Sequence, residues 1–393
     1  KGRKMDFAFT PEQVALRQEL SSFLDRELTP ELMASLDYRP EEGLFSREFS
    51  RKMGRAGWIG ASWPREYGGR GVGPVEKTII TEEMVYRRAP TGYHYVSERQ
   101  FGPSLMSVGT PEQRAFFLPR IARGEMGIAI GYSEPNAGSD LANLQTRAVA
   151  DGDDYIINGQ KVWTSGAHRV DYIWLATRTN PDVPKHKGVS IFLFPLNLPG
   201  IDVRPLYTMA GGRFNEVYFD NTRVPRSCMV GETDQGWYVI AANLDFERSG
   251  IERLTEVRPV FEAIVRFARE ARFNGRALAN EPLIRHQLAQ LEIEYRIGRW
   301  MSYRVAWLQS KGISPNYESS MSKAFGSEWG QRVARAGFSL LGLYGPLMKE
   351  SPWAKLDGEV AQSVLSTISD TIRAGTSEVQ RNIIAQRGMG LPR

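Results

Sequence analysis

The chain has 393 residues, of which 41% are hydrophobic and 24% charged, and a net charge of +5. It is long enough for two or three domains and a large core, and the composition reads as soluble and globular. The charge is too small for a nucleic-acid binder, though compatible with a phosphate-rich ligand; no apolar run is long enough to cross a membrane, and no hydrophobic leader stands out.

In chain order, residues 1–125 read as helical. Thr10 is a helix N-cap with Pro11 in the first turn, and Val14, Leu20, Phe23 and Leu24 form an apolar face. Thr110 repeats the same Thr-Pro-Glu entry. Residues 126–235 change texture to short β-branched and aromatic runs, "DDYIINGQKVWTS", "DYIWLATRT", "GVSIFLFPL" and "FNEVYFDNTRVP". Asn158-Gly159 predicts a hairpin turn. Strands without intervening helices imply an antiparallel barrel or sandwich. Residues 236–393 return to helical periodicity suited to a bundle. The closing helix starts at Ser377, with Gln380 at capping-box spacing and Val379, Ile383 and Ile384 as its stripe.

One cysteine and four histidines narrow the chemistry. Cys228 has no partner for an internal disulfide, which suits a reducing, cytoplasmic setting, and it lies in the loop-like "VPRSCMVGE". His94, His168, His186 and His286 are scattered, so neither a metal site nor a Cys–His nucleophile is expected. Carboxylates and a bound organic cofactor remain. Ser133-Glu134-Pro135-Asn136-Ala137-Gly138-Ser139-Asp140 lets backbone N–H groups approach a flat or anionic ligand. In "NGQKVWTSGA", Trp163 offers a ring face and Thr164 and Ser165 offer hydroxyls. Gly375-Thr376-Ser377 opens a helix whose free N–H groups suit a phosphate. Each stretch taken alone is also compatible with an ordinary structural loop or a capped surface helix.

Together, "YSEPNAGSD", "GQKVWTSGA", "FDNTRVP" with "VGE", and "GTSEVQRNIIAQRGMGLP" resemble the acyl-CoA dehydrogenase family of flavoproteins over nearly the whole chain. The resemblance implies an α+β chain: an N-terminal helical domain, a middle antiparallel β-barrel and a C-terminal four-helix bundle, assembled as a tetramer. It implies FAD-dependent conversion of an acyl-CoA to a trans-2-enoyl-CoA, as in fatty acid β-oxidation, with an electron-transfer flavoprotein as electron acceptor. By position, Tyr132, Ser133, Trp163, Thr164 and Ser165 would face the isoalloxazine ring, with Gly138 and Ser139 beside the flavin or the CoA arm. Gly375, Thr376 and Glu378 would hold the FAD phosphates. Ser139, Asp245 and Arg248 fall where the family contacts CoA.

Many members carry the catalytic glutamate just before Gly-Thr-Ser, where this chain has Ala374. The branch resembling isovaleryl-CoA and long-chain dehydrogenases takes its base from an internal helix, directly before an arginine, and Glu247-Arg248 stands there. The backbone N–H at Ala374 would still polarise the thioester carbonyl. A same-fold enzyme with a non-CoA substrate, and a weakly active FAD- or CoA-binding subunit, stay open beside this reading. The half-site that the family offers to a neighbouring subunit's FAD is altered. Ala271, Asn274, Pro282, Ser339 and Leu343 replace expected residues, and Arg272 lies one position from the expected arginine. Both a homotetramer and a heterotetramer with a related chain therefore remain possible.

Overall fold

A computed structural model describes residues 8–36, 43–246 and 250–392. Two Thr-Pro-Glu entries start helices in the same way. In α1 (Pro11–Glu27) and α6 (Pro111–Ala122), the threonine hydroxyl accepts from the N3 backbone, and the N3 residues Gln13 and Gln113 answer the threonine N–H. In α1, Leu20, Phe23 and Leu24 are buried, whereas Val14 faces solvent, so the apolar stripe is narrower than the sequence suggests. Between these helices come α2 (Pro30–Ser35), α3 (Arg47–Arg55), α4 (Pro74–Tyr86) and α5 (Gly102–Val108), the last preceded by a wide π-type turn over Ser97–Phe101.

The middle of the chain forms one sheet: β1 (Ile128–Gly131), β2 (Arg147–Asp151), β3 (Asp154–Lys161), β4 (Tyr172–Arg178), β5 (Val189–Pro195), β6 (Ile201–Tyr207), β7 (Arg213–Pro225) and β8 (Met229–Val230). Its order is β6-β7-β3-β2-β4-β5-β8, with β1 also on β4. Pairing is mainly antiparallel, but β1 and β2 both meet β4 in parallel. The predicted turn at Asn158-Gly159 is instead a bulge inside β3, where the register to β7 shifts. A Cβ on Gly159 would approach Thr146 Cα to 2.7 Å, so close strand contact explains the glycine. The turn itself falls at Gly152-Asp153, between β2 and β3, with Gly152 at φ +63°.

The last zone holds α7 (Gly236–Phe246), α8 (Ile251–Glu256), α9 (Arg258–Glu270), α10 (Pro282–Ser310), α11 (Tyr317–Leu341), α12 (Glu359–Asp370) and α13 (Ser377–Ile383). The periodic run after Gly236 is thus three helices, with Gly250 at φ +71° before α8. Leu254, Phe261, Ile264, Leu291, Trp329 and Val333 form the bundle core.

One buried carboxylate joins the first zone to the last. Glu82 on α4 accepts from Arg299 Nε at 2.5 Å and Nη2 at 2.9 Å, from Arg17 Nη2 at 2.5 Å, and from Tyr303 Oη at 2.7 Å. Burial alone would raise its pKa, but the Arg299 hydrogen bonds and charge outweigh that and hold it below the usual carboxylate range. Removing one partner of such a group leaves buried charges uncompensated. Glu82→Ala should therefore destabilise the fold by about 3–5 kcal/mol, read as a shift in denaturant midpoint; a change below about 1 kcal/mol, the value of an exposed pair, would contradict this role.

Candidate active site

Two loops are tied together on the sheet side. Glu134, inside "SEPNAGSD", is buried and accepts from Gln145 N at 2.6 Å, Thr146 N at 2.8 Å and Lys161 Nζ at 2.8 Å. Lys161 also donates to the Tyr132 carbonyl at 3.1 Å, and Val162 N donates to the Ser133 carbonyl at 2.9 Å. Burial pushes Lys161 down to about 8, opposed by Glu134. Glu134 itself stays below its usual range because Lys161 and the Thr146 groups outweigh burial. The pair is therefore ionised near neutrality, and it fixes residues 132–134 against the end of β3. Gly138 and Ser139 lie on the exposed rim of this loop, where nothing stands within 4 Å of a Cβ added to Gly138.

After Lys161 the chain passes through Trp163 at φ +60°, a conformation that costs a non-glycine residue about 1–2 kcal/mol. Trp163 is 56% exposed and meets Phe214 edge-on at 5.8 Å between ring centres. Ser165 is also exposed, but Thr164 is fully buried. Of the three, Trp163 and Ser165 are thus open to solvent and Thr164 is not. Thr164 points inward, its Oγ1 without a hydrogen bond, while its N–H and carbonyl bond Asn215 at 3.0 and 2.9 Å. Asn215 also lies 3.2 Å from His168 Nδ1, and burial followed by the Arg213 charge pushes that imidazole down to about 4.

The helical side presents residues 373–380. Ala374 and Gly375 lie at φ +54° and +85°. Among the described residues, the N–H groups of Ala374, Gly375 and Thr376 have no protein acceptor. The N-cap of α13 is Thr376, not Ser377: its hydroxyl accepts from Val379 N at 3.2 Å. Gln380 does not close a capping box but reaches back to the carbonyls of Ala374 and Gly375 at 3.4 and 3.3 Å, holding the left-handed pair. Ser377 is buried with an unpartnered Oγ. Glu378 is exposed, and its carboxylate is held low by its own backbone N–H and the Thr376 hydroxyl. A phosphate here would meet that negative charge, so the backbone N–H groups suit it better than Glu378 does.

The sequence reading missed two groups of charges, one at Arg373 beside this loop and one at Arg99. Arg373 donates to Asp370 Oδ1 through Nε at 2.8 Å and Nη2 at 2.5 Å, and lies 3.6 Å from Glu256. Arg253 reaches the same Asp370 oxygen at 3.5 Å. Burial, then the Asp370 charge, lifts Glu256 to about 7. Arg99 of the π-type turn stacks over Tyr95 at 4.7 Å and faces Glu252 of α8 at 3.7 Å. Lys77 is pushed down to about 8 by burial and Arg99. No motif announces these contacts, since they join α4, α8 and α12 across the fold. Glu247 and Arg248 lie outside the described residues, and of Asp245 only the backbone, in α7, is described.

The exposed Trp163 ring, the unpartnered hydroxyl of Ser377 and the three unclaimed N–H groups fit a flat heteroaromatic cofactor with a phosphate tail. Among the described residues no group of His, Cys, Asp and Glu could hold a metal, and no helix is long and apolar enough to cross a membrane.

Three family models match consecutive segments: "Acyl-CoA dehydrogenase, N-terminal domain" over residues 10–125, "middle domain" over 129–222, and "C-terminal domain" over 234–389. Among curated relatives, the acyl-CoA dehydrogenase FadE26 of Mycobacterium tuberculosis is 38% identical, covering 99% of both chains. The ChsE4-ChsE5 complex of the same organism contains a chain that superposes with a TM-score of 0.90 at 36% identity, covering 99% of this chain and 100% of that one. A chain of the Tcur3481-Tcur3483 steroid ACAD gives a TM-score of 0.90 at 35% identity with the same coverage.

The elevated Glu256 makes a pH-dependent contribution. Between the ordinary glutamate value of 4.5 and about 7 the folded state binds a proton that the unfolded state releases, so this group's contribution to stability falls as pH rises through that window. Glu256→Gln should gain on the parent by about 1–3 kcal/mol between pH 5 and pH 8, measured by paired unfolding curves. A pH-independent difference would contradict the burial argument.

Proposed function

The chain belongs to the acyl-CoA dehydrogenase family, whose members are FAD-dependent oxidoreductases, and on that premise we propose that Glu247 is the base that starts the reaction. The observation that carries this reading is Ala374. At the position where many relatives place their acid, this chain has a methyl group, yet it keeps a left-handed loop with an unclaimed N–H. A loop that retains the donor without the acid needs a carboxylate from elsewhere. Glu247, between α7 and α8, supplies one directly before Arg248.

In this reading the Ala374 N–H hydrogen-bonds the thioester oxygen and makes the α-hydrogen acidic. Such a donor is worth roughly 3 kcal/mol in other oxyanion sites. The Glu247 carboxylate accepts the α-proton as the Cα–H bond breaks, and the double bond forms as a hydride leaves the β-carbon. Bound FAD supplies the two-electron acceptor for that hydride. Tyr132, Ser133, Trp163 and Ser165 would face the flat ring of that cofactor, and the Glu134–Lys161 pair keeps this wall in place. Ser139, Asp245 and Arg248 are assigned to the CoA arm, and the N–H groups of Gly375 and Thr376 to the FAD phosphates.

A hetero-oligomer is favoured by the segment after α9. Arg272–Phe273 and Arg276–Ala277 pair as a two-residue hairpin, β9 and β10, closed by Asn274 and Gly275 at φ +49° and +76°. Phe273 is 64% exposed, and Ala271 stands where an arginine for a neighbour's FAD is expected. On α10, Ile293, Ile297, Trp300 and Trp307 form an exposed apolar seam at heptad spacing, suited to another subunit's helix. ChsE4-ChsE5 is named as a complex, and the Tcur3481-Tcur3483 steroid ACAD carries a paired name. By analogy, a related chain completes the nucleotide half-site here.

Glu247→Gln should keep its FAD and lose about 10²–10⁴-fold in dehydrogenation rate, the share of a positioned base; near-normal turnover would remove Glu247 from the role. Expressed alone, the protein should bind FAD substoichiometrically or incompletely assembled, as read by mass measurement and flavin titration. A homotetramer with one tightly held FAD per chain would rule out the two-chain assembly.

A further inference from the structure

Behind the Ala374 loop one buried cation has no hydrogen-bond acceptor among the described residues. Lys323 on α11 is 8% exposed, and its Nζ makes no hydrogen bond among the described residues. Burial first, then the Arg253 and Arg373 charges, push its pKa down to about 8 against the opposing charges of Asp370 and Glu328. Asp370 already serves both Arg253 and Arg373, Glu328 is engaged by Arg381 at 2.5 Å, and Glu378, whose carboxylate also feels Lys323, is exposed to solvent. Glu256, the remaining acid against Arg373, titrates near neutrality. Arg253, Arg373 and Lys323 thus gather around Asp370 beside the loop.

The neighbouring polar groups do not repair this. Ser319, one turn before Lys323 on α11, and Thr255 on α8 are buried with unpartnered hydroxyls, as is Ser377 at the start of α13. Both α8 and α13 pack on α11. Burying an ammonium ion without an acceptor costs several kcal/mol, and a purely structural seam would be more stable with an apolar residue there. A fixed positive field is useful where negative charge appears only transiently.

We propose that Lys323 is a positioning residue whose unpaired charge, acting with Arg253 and Arg373 through the 370–376 loop, supports the negative charge that develops on the thioester oxygen at the Ala374 N–H. The inference rests on the dehydrogenation reading above. Loss of the α-proton leaves an electron pair delocalised onto that oxygen. In a desolvated site the field of a cation reaches beyond contact distance, so Lys323 need not touch the substrate.

Acetoacetyl-CoA, a 3-oxoacyl thioester whose α-proton is acidic enough to be lost on binding, is the probe. It is titrated into the FAD-loaded protein and into Lys323→Met, with the long-wavelength absorbance of the enolate against the flavin followed across pH. Lys323→Met should keep its FAD and bind a saturated acyl-CoA within about twofold of the parent, because no direct contact is lost. The apparent pKa of bound acetoacetyl-CoA should rise by at least about one unit, roughly tenfold less enolate at neutral pH. Lys323→Arg should restore it. An unchanged pKa in Lys323→Met, or a shift that Lys323→Arg does not reverse, overturns the inference. So does loss of FAD by both Lys323→Met and Lys323→Gln, which would mark a structural cation. If the parent protein itself gives no spectral response to any CoA thioester, the dehydrogenase reading falls first and this inference with it.

Discussion

The site depends on a backbone constraint more than on any one side chain. Gln380 ties down the carbonyls of Ala374 and Gly375, both residues sit in the left-handed region, and three successive N–H groups are left without protein acceptors among the described residues. A non-glycine residue pays about 1–2 kcal/mol to adopt that conformation, so the loop persists only because α12, α13 and Gln380 over-determine it. Donors prepared in this way need no reorganisation when negative charge appears in front of them. They also belong to the main chain, so they survive any change of side chain at position 374.

The opposite wall is held by different means. Glu134 and Lys161 form an ion pair sealed from water, and its remaining hydrogen bonds go to backbone groups of the same two loops. A pair of this kind contributes little net stability, but it sets the position of residues 132–134 relative to Trp163. The β wall is thus fixed by a salt bridge and the helical wall by backbone geometry. Glu82, with Arg17, Arg299 and Tyr303, fastens the N-terminal helices to the bundle that carries the second wall.

Local chemistry was the legible part of the sequence. Thr10 and Thr110 announced their helices because a cap is satisfied within four residues, and the strands at 154–161, 172–178, 189–195 and 213–225 stood out by their β-branched and aromatic content. Asn158-Gly159 misled because the same dipeptide serves a bulge as well as a turn, and only the contact with Thr146 decides between them. The strand Ile201–Tyr207 was missed: it contains Pro205, is mostly open to solvent and lies at the end of the sheet order. The inward turn of Thr164 and the hairpin at Asn274-Gly275 were also missed. The charges near Arg373 and Arg99 were illegible for another reason, since Lys77, Arg99, Glu252, Lys323 and Asp370 come from separate elements and meet their partners only after packing. Asp245, Glu247 and Arg248 were singled out from the motif alone.

These features converge on one claim, that a site lacking an acid at position 374 still oxidises a CoA thioester with a base from the segment between α7 and α8. Anaerobic titration of the flavin-loaded protein, together with its partner chain where one is needed, with a panel of acyl-CoA thioesters tests this most directly. At least one member should bleach the flavin absorbance band stoichiometrically, with no second substrate present, and release the corresponding trans-2-enoyl-CoA. A flavin band that no acyl-CoA bleaches would contradict the account.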